Sequence, residues 1–218
     1  MAREQGTSSI RGWAESNLDL LATILLAMAA VATAWSSYQS ARWSGVQTID
    51  FSRANAARIE SARASGLANR QTQVDVLTFT QWVNAYARGN QRLTDFYFDR
   101  FRDEFRPAAE AWIATRPLRD PNAPATPFAM PEYRLAANDE AERLVDEAER
   151  FAASARASNQ RSDNYVLAVV LFAAALFFAG ICTKMPAARG RIAILGLGYV
   201  MFLGTFVWVL TFPVTVSV

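Results

Sequence analysis

The chain contains no histidine, one cysteine and one lysine among its 218 residues. Without histidine, the commonest general base and metal ligand is missing. The single cysteine, Cys182, excludes an intramolecular disulfide and any cysteine-rich metal site. There is no glycine-rich phosphate loop: the Gly-Leu-Gly at Gly196–Gly198 lies within an apolar run, not after a strand. Residues 37–163 carry no net charge, with 17 Arg against 17 Asp plus Glu, so no basic field points to nucleic acid. Charge itself is absent from Leu20–Trp35, Tyr165–Thr183 and Ile192–Val218.

Those uncharged runs set the class. A bilayer core about 30 Å thick takes about 20 helical residues, and Leu18–Tyr38, Tyr165–Met185 and Ile192–Pro213 each meet that length. The first is long for the apolar region of a cleaved signal. It exits into Trp35, Tyr38 and Trp43, which read as an interfacial aromatic belt. Ser16-Asn17-Leu18-Asp19 fits a capping box, with Asp19 at the start of the first span. The expected fold is an all-α membrane protein: three transmembrane helices plus an extramembrane helical bundle or coiled-coil domain. Its expected divisions are an N-terminal tail 1–17, a span 18–38, a helical domain 39–163, a span 164–185, a basic connector 186–191, a span 192–213 and a tail 214–218.

Three spans place the N-terminus and the connector on one face of the membrane. Short cytoplasmic loops are enriched in Lys and Arg. Lys184, Arg189 and Arg191, with Arg3 and Arg11, therefore assign that face to the cytoplasm, against Arg42, Arg156 and Arg161 on the other. The helical domain is expected outside, which in a bacterium with two membranes is the periplasm.

Within the domain, Ala137, Ala141, Leu144, Ala148, Phe151, Ala155, Ser158, Ser162 and Tyr165 recur at alternating spacings of four and three. That is a coiled-coil seam of period about 3.5. Asp139–Arg143 and Asp146–Arg150 add opposite charges one helical turn apart. No Pro or Gly interrupts Glu132–Ala179, so one helix is expected from near Tyr133 to Met185. Earlier, Phe79, Trp82, Val83, Tyr86, Leu93, Phe96, Tyr97, Phe101 and Phe105 form an aromatic stripe at helical spacing. It reads as the domain's core, with a ligand-binding aromatic cluster as the alternative. Gly66 and Arg88–Asn90 are the expected breaks, and five prolines between Pro117 and Pro131 mark a loop over 116–131. The outgoing arm, 36–115, is far longer than the return arm, 132–163, so it must fold back into a bundle of three or four helices.

No spacing singles out a nucleophile with its base, and the carboxylates of "NDEAERLVDEAER" alternate with Arg as on a solvated face. We therefore expect no catalytic, cofactor-binding or metal-binding residue and no enzyme activity, and the sequence identifies no small-molecule substrate. The expected partners are the lipid bilayer and either a second copy or another envelope protein. Phe79, Trp82, Tyr86, Leu144, Phe151, Gly196 and Gly204 are the candidate packing residues for such a partner.

The first span with its exit, "LLATILLAMAAVATAWSSYQSAR", and "NQRSDNYVLAVVLFAAALFFAGI" leading to the connector and last span resemble an uncharacterised family of bacterial membrane proteins, a domain of unknown function. The resemblance implies an inner-membrane protein and transfers no catalytic residue. The leading expectation is a scaffold. A transport component with the layout of proton-driven stator subunits of the ExbB and TolQ type is an alternative, although those keep their large domain in the cytoplasm. An envelope sensor is a further one.

The topology is tested by replacing Cys182 with Ser, introducing Asn122→Cys and labelling intact cells with a membrane-impermeant maleimide. Labelling before lysis is expected; labelling only after lysis would reverse the orientation.

Overall fold

In the computed structural model the described residues are 2–117 and 119–215, with side chains from Asn17 onward. Arg3, Arg11 and Ser16 therefore lie outside the described side chains. Helix is the only regular structure among the described residues. It comprises α1 (Ala2–Ala87), α2 (Gln91–Phe98), α3 (Arg106–Ala114), a 3-10 turn at Pro127–Ala129, α4 (Ala136–Cys182) and α5 (Ala188–Val209). Segments of α1, α4 and α5 are long and apolar enough to cross a membrane.

The length of α1 follows from composition: no proline precedes Pro107. Gly66, expected to break the helix, is passed without interruption, since one helical glycine costs only about 1 kcal/mol. The break at Arg88–Asn90 does occur. Gly89 adopts φ +67°, a left-handed conformation that glycine enters without a Cβ penalty. Asn90 then caps α2 by accepting a hydrogen bond from Leu93 N at 3.1 Å. Asp19, read as a cap, is instead interior to α1, because the helix begins at Ala2.

The chain divides into two compact units. In the unit formed by Met1–Phe51 and Ala152–Val218, segments of α1 and α4 run antiparallel: the Ser40 and Ser162 hydroxyls lie 3.0 Å apart, and Ser154 donates to Asp50 at 2.6 Å. Buried positions follow a three-and-four rhythm, Ala22, Leu25 and Ala29 on α1 and Ala168, Phe172, Ala175, Ala179 and Cys182 on α4. Leu195, Phe202 and Val209 of α5 close this core. Gly198 is what brings α5 in. A Cβ there would sit 3.1 Å from Leu25 Cδ2 and 3.6 Å from the Ala175 carbonyl oxygen. At the other end of α5, Trp43 Nε1 and the Tyr165 hydroxyl both donate to the Pro213 carbonyl, at 3.1 and 3.2 Å, while Gln39 bonds both Thr215 N and O. Trp43, assigned to the interfacial belt, is thus a buried tether, whereas Trp35 and Tyr38 are exposed.

In the unit Ser52–Phe151 the seam is again small: Ala54, Ala57, Ser61 and Ala68 on α1 and Ala141 and Ala148 on α4 are buried, and Ser61 donates to the Ala141 carbonyl at 3.0 Å. Apolar bulk comes from an aromatic cluster of Trp82, Phe101 and Phe105, packed by Phe79, Tyr97, Phe98, Trp112, Phe128 and Tyr133. The aromatic stripe therefore supplies the core only in part, since Tyr86, Leu93 and Phe96 stay exposed. On α4, Arg143 pairs with Glu140 and Glu147, not with Asp139, and Arg150 bonds the Asp146 carbonyl. These exposed pairs stabilise little.

Gly198→Val is expected to overpack the α1–α4–α5 contact, lowering stability by about 1–3 kcal/mol, while Gly196→Val, with nothing within 4 Å of its Cβ position, leaves it unchanged. Thermal unfolding of the two variants in detergent separates them.

Candidate functional site

The connector cations come apart in the structure. Lys184 and Arg189 are exposed, but Arg191 is buried and its guanidinium forms an ion pair with Asp19. Because α5 starts at Ala188, Arg189 and Arg191 sit in its first turn, where a cation opposes the helix dipole. Ala187, at the cap position, offers no side-chain acceptor. The Asp19 carboxylate meets that unfavourable charge, so Asp19 is a partner for α5, not a cap for α1.

The candidate packing residues divide in the same way. Phe79 and Trp82 lie in the aromatic cluster, and Trp82 stacks on Tyr86 with centroids 5.4 Å apart. Leu144 and Phe151 are half-buried, Phe151 beneath the Arg53 guanidinium at 5.7 Å. Gly196 and Gly204 are exposed, and no atom lies within 4 Å of a Cβ built on either. The close-packed glycine of α5 is Gly198.

Two features were not singled out in the sequence. The first is a polar network around Asp75, whose side chain is fully buried. Asp75 Oδ2 accepts from Arg102 Nη1 at 2.9 Å and from the Tyr133 hydroxyl at 3.1 Å. Arg102 also pairs with Glu104, and Glu104 Oε1 accepts from Ala136 N at 3.1 Å, capping the start of α4. Asp75 Oδ1 has no partner. Burial raises the Asp75 carboxyl above the ordinary carboxylate range, opposed by the Arg102 charge and the Tyr133 hydrogen bond. Burial likewise raises the Tyr133 phenol. Spacing held a signal for this network: Asp75 lies seven residues after Ala68 and seven before Trp82, so it occupies the buried row of α1.

The second feature is a cleft of about 420 Å³ in the same unit, bordered by Trp82, Val83, Tyr86, Trp112, Ile113, Arg116, Pro117 and Arg119. Trp112 is held by its indole N–H, which donates to the Pro124 carbonyl at 2.6 Å. Arg116 has φ 53°, the one non-glycine positive φ among the described residues. Its carbonyl accepts from both Arg119 N, at 2.7 Å, and Asp120 N, at 3.0 Å, which closes the turn and keeps the two arginines near each other in the chain. Among the described residues no group of three His, Cys, Asp or Glu side chains is placed to hold a metal ion. Compared with protein-family models, with curated proteins and with solved structures, the chain gives no match.

The raised Asp75 carboxyl fixes the sign of a pH effect. A folded-state pKa above the unfolded value gives stability that is present below the unfolded pKa and lost as pH rises through the folded pKa. Wild type should therefore gain stability relative to Asp75→Asn as pH falls from 7 towards 4, read by thermal unfolding. A difference independent of pH would mean that the carboxyl is not shifted.

Proposed function

We propose that this chain is a membrane-embedded, non-enzymatic interaction protein whose helical domain associates with a second copy of itself. The observation that carries this reading is the outer face of α1. Ile59, Leu67, Val74 and Leu77 are exposed by 55, 45, 48 and 65 %. Ile59 and Leu77 are 18 residues apart, about five helical turns, and Ala68 midway between them is buried about half a turn away. Ile59 and Leu77 thus lie opposite the seam that α1 uses within its own unit, with Leu67 and Val74 about 60–80° round the helix from them. An apolar row on water-facing helix costs free energy unless a partner covers it.

A second copy suits this row for a geometric reason. Copies inserted in one membrane share one orientation, so a two-fold axis along the membrane normal brings equal heights together, setting Ile59 by Ile59 and Leu77 by Leu77. Gly66, on the same face, has only the flexible Arg70 guanidinium 3.5 Å from its Cβ position, which lets two backbones approach. In this reading α1, α4 and α5 span a bacterial inner membrane, the connector faces the cytoplasm, and the coiled-coil-like helical domain stands outside. The pairing of Arg191 with Asp19 does not weaken that orientation, because Lys and Arg are counted regardless of nearby acids.

The test is Leu77→Cys in a Cys182→Ser background, oxidised in membranes, with Arg92→Cys on α2 as the control. A disulfide dimer at position 77 and none at 92 is expected, and Ile59→Asp with Leu77→Asp should weaken the dimer at least tenfold by sedimentation. Monomer at both positions, or a cross-link only to a different protein, would overturn self-association.

A further inference from the structure

The cleft beside the aromatic cluster combines two kinds of surface, apolar rings and cations. Its walls are rings: Trp82, Tyr86 and Trp112, with Trp82 and Tyr86 stacked at an interplanar angle of 14°. Its rim holds two permanent cations, Arg116 and Arg119, and no acidic side chain borders it. Neither arginine makes a side-chain hydrogen bond or ion pair with any described residue, whereas Arg63, Arg102, Arg143 and Arg191 each have a carboxylate partner. One further observation points the same way. Arg116 is held at φ 53°, a conformation that is costly for a side-chain-bearing residue and is concentrated at binding and catalytic sites.

We propose that this cleft binds a small organic anion: a flat apolar or aromatic body carrying one carboxylate, sulfonate or phosphate. The volume of about 420 Å³ falls in the range of small-ligand pockets, about 300–1,000 Å³, and the make-up matches theirs, apolar walls with a few convergent polar groups. The rings take the body by stacking. The guanidiniums of Arg116 and Arg119 take the anion through charge-assisted hydrogen bonds. A neutral molecule of the same shape would leave both charges unused, so the site discriminates by charge as well as by shape. The cleft involves Trp82, Val83 and Tyr86 of α1 and not the row Ile59, Leu67, Val74 and Leu77, so ligand binding and self-association are separable.

The test uses the full chain in nanodiscs, titrated calorimetrically with naphthalene-1-sulfonate and with neutral 1-naphthalenemethanol. Saturable binding of the sulfonate is expected. Arg116→Ala with Arg119→Ala should weaken it at least tenfold while changing the neutral compound less than twofold. Tyr86→Ala, at an exposed position, should weaken both compounds, and near-ultraviolet circular dichroism verifies that each variant is folded. Absence of saturation below about 1 mM, a free energy of only about −4 kcal/mol, would overturn the proposal. So would sulfonate binding equal in wild type and the double arginine variant, which would report partition into the lipid.

Discussion

Close approach of α1 and α4 is the constraint on which each unit depends. In Met1–Phe51 with Ala152–Val218 the two segments are bridged by Ser40–Ser162 and Asp50–Ser154, and in Ser52–Phe151 by Ser61 donating to the Ala141 carbonyl. A serine side chain reaches a backbone carbonyl of the facing helix only when the backbones are near, and alanine at the intervening buried positions permits that. A larger residue in the seam would separate the helices and break these bonds together. The same smallness limits what the seam contributes in water, since burying an alanine removes little apolar area. Between lipid-embedded helices this matters less, because small-residue packing and interhelical hydrogen bonds hold such helices together.

Both units bury large side chains beside the seam. The unit Ser52–Phe151 adds Trp82, Phe101 and Phe105 with their aromatic neighbours, the bulk that a water-facing domain needs in the proposed topology. The unit with α5 buries Tyr165, Phe172 and Phe202 and adds a third apolar helix, admitted by Gly198. In both, buried charges are neutralised locally. Asp19 meets Arg191 at the start of α5, and Asp75 meets Arg102, which also holds Glu104 against the first turn of α4. Breaking such a pair leaves a charge without a partner, which is costlier than never having had one.

The cleft and the outer row of α1 concern different surfaces of one unit, and each is defined by something the fold leaves uncovered. At the row it is apolar area; at the cleft it is two cations and the exposed ring of Tyr86. Both sit next to well-packed structure, the row across the helix from Ala68 and the cleft against the aromatic cluster. Such surfaces are held in place without having to form their own core, which is the arrangement that lets binding energy go into recognition instead of ordering.

Runs of about 20 uncharged residues determined the three long apolar helices by themselves, because backbone polar groups in so apolar a stretch must be satisfied within a helix. The three-and-four spacing from Ala141 to Tyr165 likewise marked the buried row of α4, and Gly89 with Asn90 marked the end of α1. Tertiary structure alone decided which charge meets which. Asp19 and Arg191 are 172 residues apart in the chain, and Asp75 and Arg102 are brought together by the turns at Gly89 and after α2. It also decided which glycine packs, Gly198 in place of Gly196, since neighbouring positions on one helix differ only in direction. The cleft was legible only in part: the stripe marked Trp82 and Tyr86, but Arg116 and Arg119 belong to no local pattern, and only folding places rings and guanidiniums around one space.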